Sequence, residues 1–291
     1  MIVYAPAKIN LALHVKGKRP DGFHDIETVF VQVGLCDKIR IARANTLSVT
    51  ADRPEVPSGP ENLAYKAAAM MQRAFGVKTG ARIVIEKRIP AGGGLAGGSS
   101  DAAAVVKGLQ KLWRLPPAPA RVRRILRALG SDVPYCYLGG CALGRGRGEI
   151  LKPLPPFPRL YVVLVFPPVA VSTAWAYAAL KRNLTPHKLT IKLYRDCISV
   201  VRGKRFIREI LHNDFEQAVF EKYPVIREVR QALLAHGPEG ALMSGSGSTV
   251  FGLFARRAAA QTALSDFRKK GLRAELTRLK RPQKAALKKR T

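Results

Sequence analysis

The sequence predicts an α+β protein with two domains. Three observations carry that reading. The chain has 291 residues, enough for two domains with their own cores. Strand-like apolar stretches open the chain, but later helical stretches do not alternate with strands as a β-α-β series would. A glycine-rich segment, Gly92 to Gly98, joins an alternating stretch to an alanine-rich one.

Ile2 to Val15 and Glu27 to Ile41 alternate or run apolar and read as strands. Glu61 to Phe75 has helical spacing, with Leu63, Ala67, Met70, Met71 and Ala74 on one side. Ala81 to Ile89 reads as a strand with Ile83, Ile85 and Lys87 on one face and Val84, Glu86 and Arg88 on the other. A helix then runs from about Ser99 to Trp113, because Ser99, Ser100 and Asp101 are good helix starters and alanines follow. Ala120 to Leu129 is a further helix. Pro153-Leu154-Pro155-Pro156-Phe157-Pro158 reads as a linker, which sets domains at 1–155 and 156–291. Beyond it lie a buried-type strand, Leu160 to Phe166, an amphipathic helix, Tyr223 to Ala235, and a glycine turn entering a strand, Leu242 to Phe254. The tail from Arg281 is poor in apolar residues and is expected to fray.

Composition narrows the class. The 47% hydrophobic content suits a globular protein. The longest apolar run, Leu160 to Phe166, is far short of the roughly 20 residues that span a bilayer. No basic-then-apolar signal pattern opens the chain, so a cytoplasmic protein with no membrane partner is expected. Cys36, Cys136, Cys141 and Cys197 lack zinc-site spacing and read as buried free thiols; the five histidines form no metal motif either. No metal-ligand set is therefore assigned.

The net charge is +30. It is spread: eleven Lys/Arg lie from Arg268 to Thr291 and nine from Lys181 to Ile210. A basic surface of this kind steers anionic substrates such as nucleotides. Non-specific RNA binding at low salt is an expected side effect, and no specific nucleic-acid partner is expected.

Five glycines within seven positions, directly before a helix start, point to a phosphate. Glycine lets backbone approach a ligand, and a helix N-terminus offers N–H groups and a positive dipole end. Gly92, Gly94 and Gly97 satisfy G-x-G-x-x-G, but the acidic residue of a dinucleotide fold is replaced by the proline-rich stretch around Pro116 to Pro119. No Lys follows Gly97 or Gly98, against a P-loop, and neither H-R-D nor D-F-G occurs, against a protein kinase.

The run Pro90-Ala91-Gly92-Gly93-Gly94-Leu95-Ala96-Gly97-Gly98-Ser99-Ser100 resembles the glycine-serine loop of the GHMP small-molecule kinases. Ala5-Pro6-Ala7-Lys8-Ile9-Asn10-Leu11 resembles that family's first motif, and Met243-Ser244-Gly245-Ser246-Gly247-Ser248-Thr249-Val250-Phe251 its third. Three further segments resemble the branch whose substrate is 4-diphosphocytidyl-2-C-methyl-D-erythritol: Arg19 to His24, Gly130 to Pro134 with Gly139 to Gly148, and Asn213 to Glu216.

The resemblance implies a two-domain GHMP kinase fold. Its N-terminal domain is similar to domain 2 of ribosomal protein S5, its C-terminal domain is ferredoxin-like, and the active site lies in the cleft between them. It implies ATP as phosphoryl donor, ADP as product, and transfer to the 2-hydroxyl of the cytidine substrate in the non-mevalonate route to isoprenoid precursors; the chemistry of that transfer implies Mg²⁺. Another member of the superfamily, such as a mevalonate or homoserine kinase, is the nearest alternative, and the Asp21 to His24 block argues against it.

The resemblance also assigns roles. The residues of the glycine run, from Pro90 through Ser100, cradle ATP, and a side chain at Gly94 is expected to block the approach to phosphate. Lys8 and Asp132 become the catalytic pair, where sequence alone gives a solvated strand lysine and a helix cap. Asp132 accepts the proton of the substrate hydroxyl, and Lys8 polarises that hydroxyl. Asn10, Phe23, His24 and Tyr177 bind substrate: His24 hydrogen-bonds the base, Phe23 stacks on it, and Tyr177 is a second aromatic wall. Asn213-Asp214-Phe215-Glu216 reads equally as a helix cap or a site element.

Overall fold

A computed structural model describes residues 1–180, 189–203 and 205–280. The tail from Arg281, with its expected fraying, lies outside the described residues. The chain forms two compact units. One comprises Met1–Ala7, Leu35–Ala91 and Ala96–Leu138; the other comprises Lys8–Gly34, Gly92–Leu95 and the described residues from Gly139 onward. Two long strands, β1 (Ile2–Lys18) and β2 (His24–Ala44), each contribute residues to both.

In the first unit, β3 (Ser48–Ala51) pairs in parallel with β4 (Gly80–Glu86), and β4 pairs antiparallel with the second half of β2. Between β3 and β4 the chain forms α1 (Leu63–Phe75). Asn62 caps it through a side-chain bond from the Ala64 N–H, and Gly76 ends it at φ 64°. Its buried stripe is Ala64, Ala67, Ala68 and Met71. The helices α2 (Gly97–Leu112), α3 (Pro119–Leu129) and α4 (Val133–Leu138) complete the unit, and α1 and α4 both pack on α2. The Tyr137 hydroxyl donates to Gln110 Oε1 at 2.9 Å and ties α4 to α2.

The β4 alternation is realised as the sequence predicts. Ala81, Ile83 and Ile85 are fully buried, and Lys87 continues on that buried side at 8% exposure. Burying a lysine requires partners, and these turn out to organise the site described below.

In the second unit, β5 (Cys141–Arg145) pairs antiparallel with β2 and with β6 (Ile150–Leu154). Pro153 and Leu154 of the linker candidate belong to β6, where they face Ala142 and Cys141. Next come β7 (Tyr161–Phe166), α5 (Thr173–Ala178), α6 (Leu189–Val201), β8 (His212–Asn213), α7 (Glu216–Lys222), α8 (Pro224–Leu234), β9 (Gly240–Met243), β10 (Val250–Phe254), α9 (Arg257–Lys269) and β11 (Arg273–Arg278). The short β8 pairs in parallel with β1.

The second sheet runs β11-β7-β10-β9, antiparallel throughout. With α8 packed on β9 and β10, and α9 on β7, β10 and β11, this is the β-α-β-β-α-β order of a ferredoxin-like layer. Its core includes Val163, Val165, Val229, Leu233, Phe254, Ala263 and Phe267, all buried. The fold class is therefore the α+β class expected. Three cysteines, Cys136, Cys141 and Cys197, are buried, whereas Cys36 is half-buried, and none forms a disulfide.

Candidate active site

The glycine run straddles the two units, so each half is described in its own unit. In the first, Ala96 takes a left-handed conformation at φ 55°, and α2 starts at once with Gly97. The helix thus begins two residues before the serines. Ser100 N–H donates to Ala96 carbonyl at 2.9 Å, the first intrahelical bond. The N–H groups of Gly97, Gly98 and Ser99 precede it and have no intrahelical acceptor, as at any helix start. Gly98 is exposed, and a Cβ added there meets no atom within 4 Å. This arrangement can receive an anion.

The two serines divide their work. Ser100 is buried, and its hydroxyl donates to Pro6 carbonyl at 2.7 Å, holding α2 to β1. Ser99 stays half-exposed at the helix start.

A buried cluster that sequence reasoning missed fixes this end of α2. Lys87 Nζ lies 2.5 Å from Asp37 Oδ2 and 2.7 Å from Asp101 Oδ2. Asp37 Oδ1 also accepts the N–H groups of Arg88 at 2.6 Å and Ile89 at 2.8 Å, so it pins the chain entering the glycine run. Burial lowers the Lys87 pKa, but the Asp101 and Asp37 carboxyls outweigh it and leave it raised. Burial, opposed by Lys87 and aided by Asp37, pushes Asp101 up to about 8. The alternation of Ile83, Ile85 and Lys87 was the one available signal, since it places a lysine on an apolar face.

Asp132 is half-buried and directly precedes α4, with its carbonyl accepting the Cys136 N–H at 2.9 Å. It lies in the first unit with Gly97, Gly98, Ser99 and Ser100; Lys8 lies in the second.

In the second unit, Lys8 is 5% exposed, not on a solvated face. Its Nζ donates to Asn10 Oδ1 at 2.7 Å, Asn10 Nδ2 donates to Thr28 Oγ1 at 2.7 Å, and Thr28 Oγ1 donates to Ala12 carbonyl at 2.7 Å. This relay fixes the ammonium, and Thr28 is a member that the sequence did not reveal. The Lys8 N–H bonds Leu95 carbonyl at 3.1 Å, so β1 also holds the first part of the glycine run.

The third motif forms the turn between β9 and β10, and its residues are buried. Ser244 Oγ donates to Gly94 carbonyl at 3.1 Å. A Cβ on Gly94, at φ +72°, would lie 2.1 Å from the Ser244 carbonyl oxygen. Gly94 is thus required by packing against this turn, a different reason from the expected approach to phosphate. The block at 213–216 clamps the same turn. Asn213 Nδ2 donates to the Met243 and Gly245 carbonyls at 2.8 Å each, and Glu216 Oε1 accepts the Met243 N–H at 2.8 Å.

Three candidate binding residues of this unit, Phe23, His24 and Tyr177, are partly exposed. Phe23 is 50% exposed beneath the Arg147 guanidinium, whose carbon lies 4.5 Å from the ring centroid. Arg19 bridges Asp21 and Asp25 and orders the turn that carries Phe23. His24 and Tyr177 stack directly, with centroids 4.8 Å apart, and leave no space for a third ring between them. Phe215 braces Tyr177 edge-on at 4.8 Å. Tyr177 thus supports His24 from behind. Burial, then Lys18, lowers the His24 pKa, so the imidazole is neutral near pH 7 with one donor and one acceptor nitrogen.

Known proteins resemble this chain over most of its length. Residues 62–140 match the GHMP kinases N terminal domain, and residues 201–272 match the GHMP kinases C terminal family. A 4-diphosphocytidyl-2-C-methyl-D-erythritol kinase of Gloeobacter violaceus is 43% identical over 88% of this chain and 86% of its own length. One of Pelotomaculum thermopropionicum is 41% identical over 96% and 98%. A crystal structure of 4-(cytidine 5'-diphospho)-2C-methyl-D-erythritol kinase superposes with a TM-score of 0.81 at 38% identity, covering 96% of this chain and 99% of that one. A homoserine kinase from Cytophaga hutchinsonii shares the fold, with a TM-score of 0.74 at 19% identity over 96% of this chain and 94% of its own.

Proposed function

This chain belongs to the GHMP kinases and, within them, to the 4-diphosphocytidyl-2-C-methyl-D-erythritol kinases, and from that membership we propose how its residues divide the work. The enzyme transfers the γ-phosphate of ATP to the 2-hydroxyl of 4-diphosphocytidyl-2-C-methyl-D-erythritol, a step of isoprenoid precursor synthesis in the cytoplasm. Residues 1–155 and 156–291 form its two domains.

Phosphoryl transfer needs a phosphate cradle, charge neutralisation and a positioned hydroxyl. The run from Pro90 to Ser100 supplies the cradle. The N–H groups of Gly97, Gly98 and Ser99 and the α2 dipole hold the ATP phosphates. The half-exposed Ser99 hydroxyl at the start of α2 is a hard oxygen donor of the kind Mg²⁺ takes, and it would hold the ion beside phosphate oxygens and water. An ion held there would supply charge neutralisation at the transferring phosphoryl group.

Asp132 accepts the proton of the 2-hydroxyl, and Lys8 polarises that oxygen. In a loose transition state the proton moves late, so position matters more than basicity. The Asn10–Thr28 relay supplies that position. His24 hydrogen-bonds the cytosine, Tyr177 braces His24, and Phe23 stacks on the base. The basic surface steers both anionic substrates and binds RNA only non-specifically.

The observation that carries the substrate assignment is the partly exposed His24 imidazole, stacked on Tyr177 beside the turn that carries Phe23. A coupled assay of ADP release tests it, with the cytidine substrate run beside mevalonate and homoserine. Turnover is expected with the cytidine substrate alone. Turnover with mevalonate or homoserine and none with the cytidine compound overturns the reading.

A further inference from the structure

The parallel pairing of β8 with β1 places three potential ligands together. Ala12 lies opposite His212 and Leu13 opposite Asn213. Side chains alternate along each strand, so His14 shares a face with His212 and Asp214, while Leu13, Val15 and Asn213 take the other. The core side is accounted for: Leu13 and Val15 enter the second-unit core, and Asn213 clamps the Met243–Gly245 turn.

On the other face the His14 and His212 rings stack with centroids 4.3 Å apart and planes inclined by 11°. His212 Nε2 lies 2.5 Å from Asp214 Oδ1. Asp214 Oδ2 accepts the Val15 N–H at 2.6 Å, which fixes the carboxylate. His14 Nδ1 is buried and has no hydrogen-bond partner among the described residues. One ligand atom from each of the three side chains lies within 4.8 Å of the others.

We infer that His14, His212 and Asp214 form a binding site for a divalent transition-metal ion of the zinc class. Two imidazoles and a carboxylate are a common three-ligand set for zinc, with water in the fourth position. Bonds of about 2.1 Å to a tetrahedral ion set ligand atoms roughly 3.4 Å apart, and because imidazole nitrogens ligate in the ring plane, the exposed His212 ring turns out of its stack on His14 to reach the same ion. The backbone bond from Val15 orients the Asp214 carboxylate in the way outer partners orient metal ligands. The nearby Lys16 is engaged by Glu27 at 3.2 Å. A hard ion such as Mg²⁺ prefers oxygen donors and is a poor competitor here. The bound ion staples β8 to β1 beside Asn213 and so stiffens the clamp on the third motif. No sequence spacing signals the site, because His14 and His212 come from distant segments.

Calorimetric titration of zinc chloride into the chelator-treated full chain, with excess Mg²⁺ present, tests this. One ion per chain is expected, together with a melting temperature that rises with zinc concentration. His212 is exposed, so His212→Ala should fold normally. It should lower zinc affinity by more than the roughly 10- to 100-fold that losing a supporting partner costs a metal site. His14→Gln, which retains a polar side chain, should do the same. Absence of saturable binding in the wild type overturns the inference. Binding that persists unchanged in both variants also overturns it, since the ion then sits on other groups.

Discussion

Lys87 Nζ lies 2.7 Å from Asp101 Oδ2, and this buried contact joins the strand before the glycine run to the helix after it. Asp37 receives the same ammonium and two backbone N–H groups. Lys87→Met leaves two buried carboxyls without their cation. It should destabilise the protein by about 3–5 kcal/mol, as breaking a buried pair does. Denaturant unfolding of the variant measures this; an unchanged midpoint contradicts it.

Asp101 gives stability a pH signature. Its folded pKa of about 8 stands above its ordinary 3.8, so the folded state holds a proton that the unfolded state has released in between. The stability from that proton is complete below about pH 4 and is lost as pH rises through 8. Wild-type unfolding free energy should therefore fall from pH 6 to pH 9, and Asp101→Asn should flatten the slope. Equal slopes in both proteins contradict the assignment.

Asn10 connects Lys8 to Thr28, and its loss frees the ammonium to move. Asn10→Ala should lower kcat by about 10²-fold, the cost of roughly 1 Å of misplacement. Nucleotide affinity should stay within a factor of about two, because no atom of the cradle changes. Steady-state kinetics and ATP-analogue calorimetry separate the two. An affinity loss with unchanged kcat contradicts the relay.

The glycines of the run are not equivalent. Gly98 faces open space at the helix start, whereas Gly94 abuts the Ser244 carbonyl. Gly98→Leu should fold normally and weaken binding of an ATP analogue by at least about tenfold, by covering the N–H groups of the first turn. Gly94→Val should lose stability before any effect on nucleotide can be read. Normal ATP affinity in a folded Gly98→Leu protein rules out the cradle.

Much of this was legible in the chain. The glycine run announces a sharp turn into a helix, because few other structures tolerate five glycines there, and α2 does start within it at Gly97. The β4 alternation placed Ile83, Ile85 and Lys87 on one side, and they share it. Local propensity misplaced the start of α2, because Ser100 spends its hydroxyl on Pro6 and the turn is made at Ala96 in a left-handed conformation that alanine rarely takes. Tertiary partners were invisible. Nothing near Asn213 in sequence reveals the carbonyls of Met243 and Gly245 that it holds, and nothing near Lys87 reveals Asp37. Tyr177 was expected as a second aromatic wall, and its direct stacking on His24, braced by Phe215, was not legible because it depends on tertiary packing.

The neutral His24 predicts base selectivity. Cytosine offers an amine where uracil offers an oxygen, and a mismatched buried group costs about 1–3 kcal/mol. The uridine analogue should lose tenfold or more in kcat/KM by that estimate, and His24→Ala should erode the difference while leaving ATP affinity nearly intact. Because burial lowers the His24 pKa, selectivity should persist at mildly acidic pH and fall only when the ring protonates. Equal kcat/KM for the two nucleotides at neutral pH contradicts the pocket.

The most direct measurement follows the phosphorus spectrum of purified chain, ATP, Mg²⁺ and the cytidine substrate, with Asp132→Asn run in parallel. The expected result is a new phosphomonoester at the 2-position, formed together with ADP, and a fall in kcat of about 10²- to 10⁴-fold in the folded variant. No phosphomonoester, or a variant that turns over like the wild type, contradicts a kinase that uses Asp132 to take the proton.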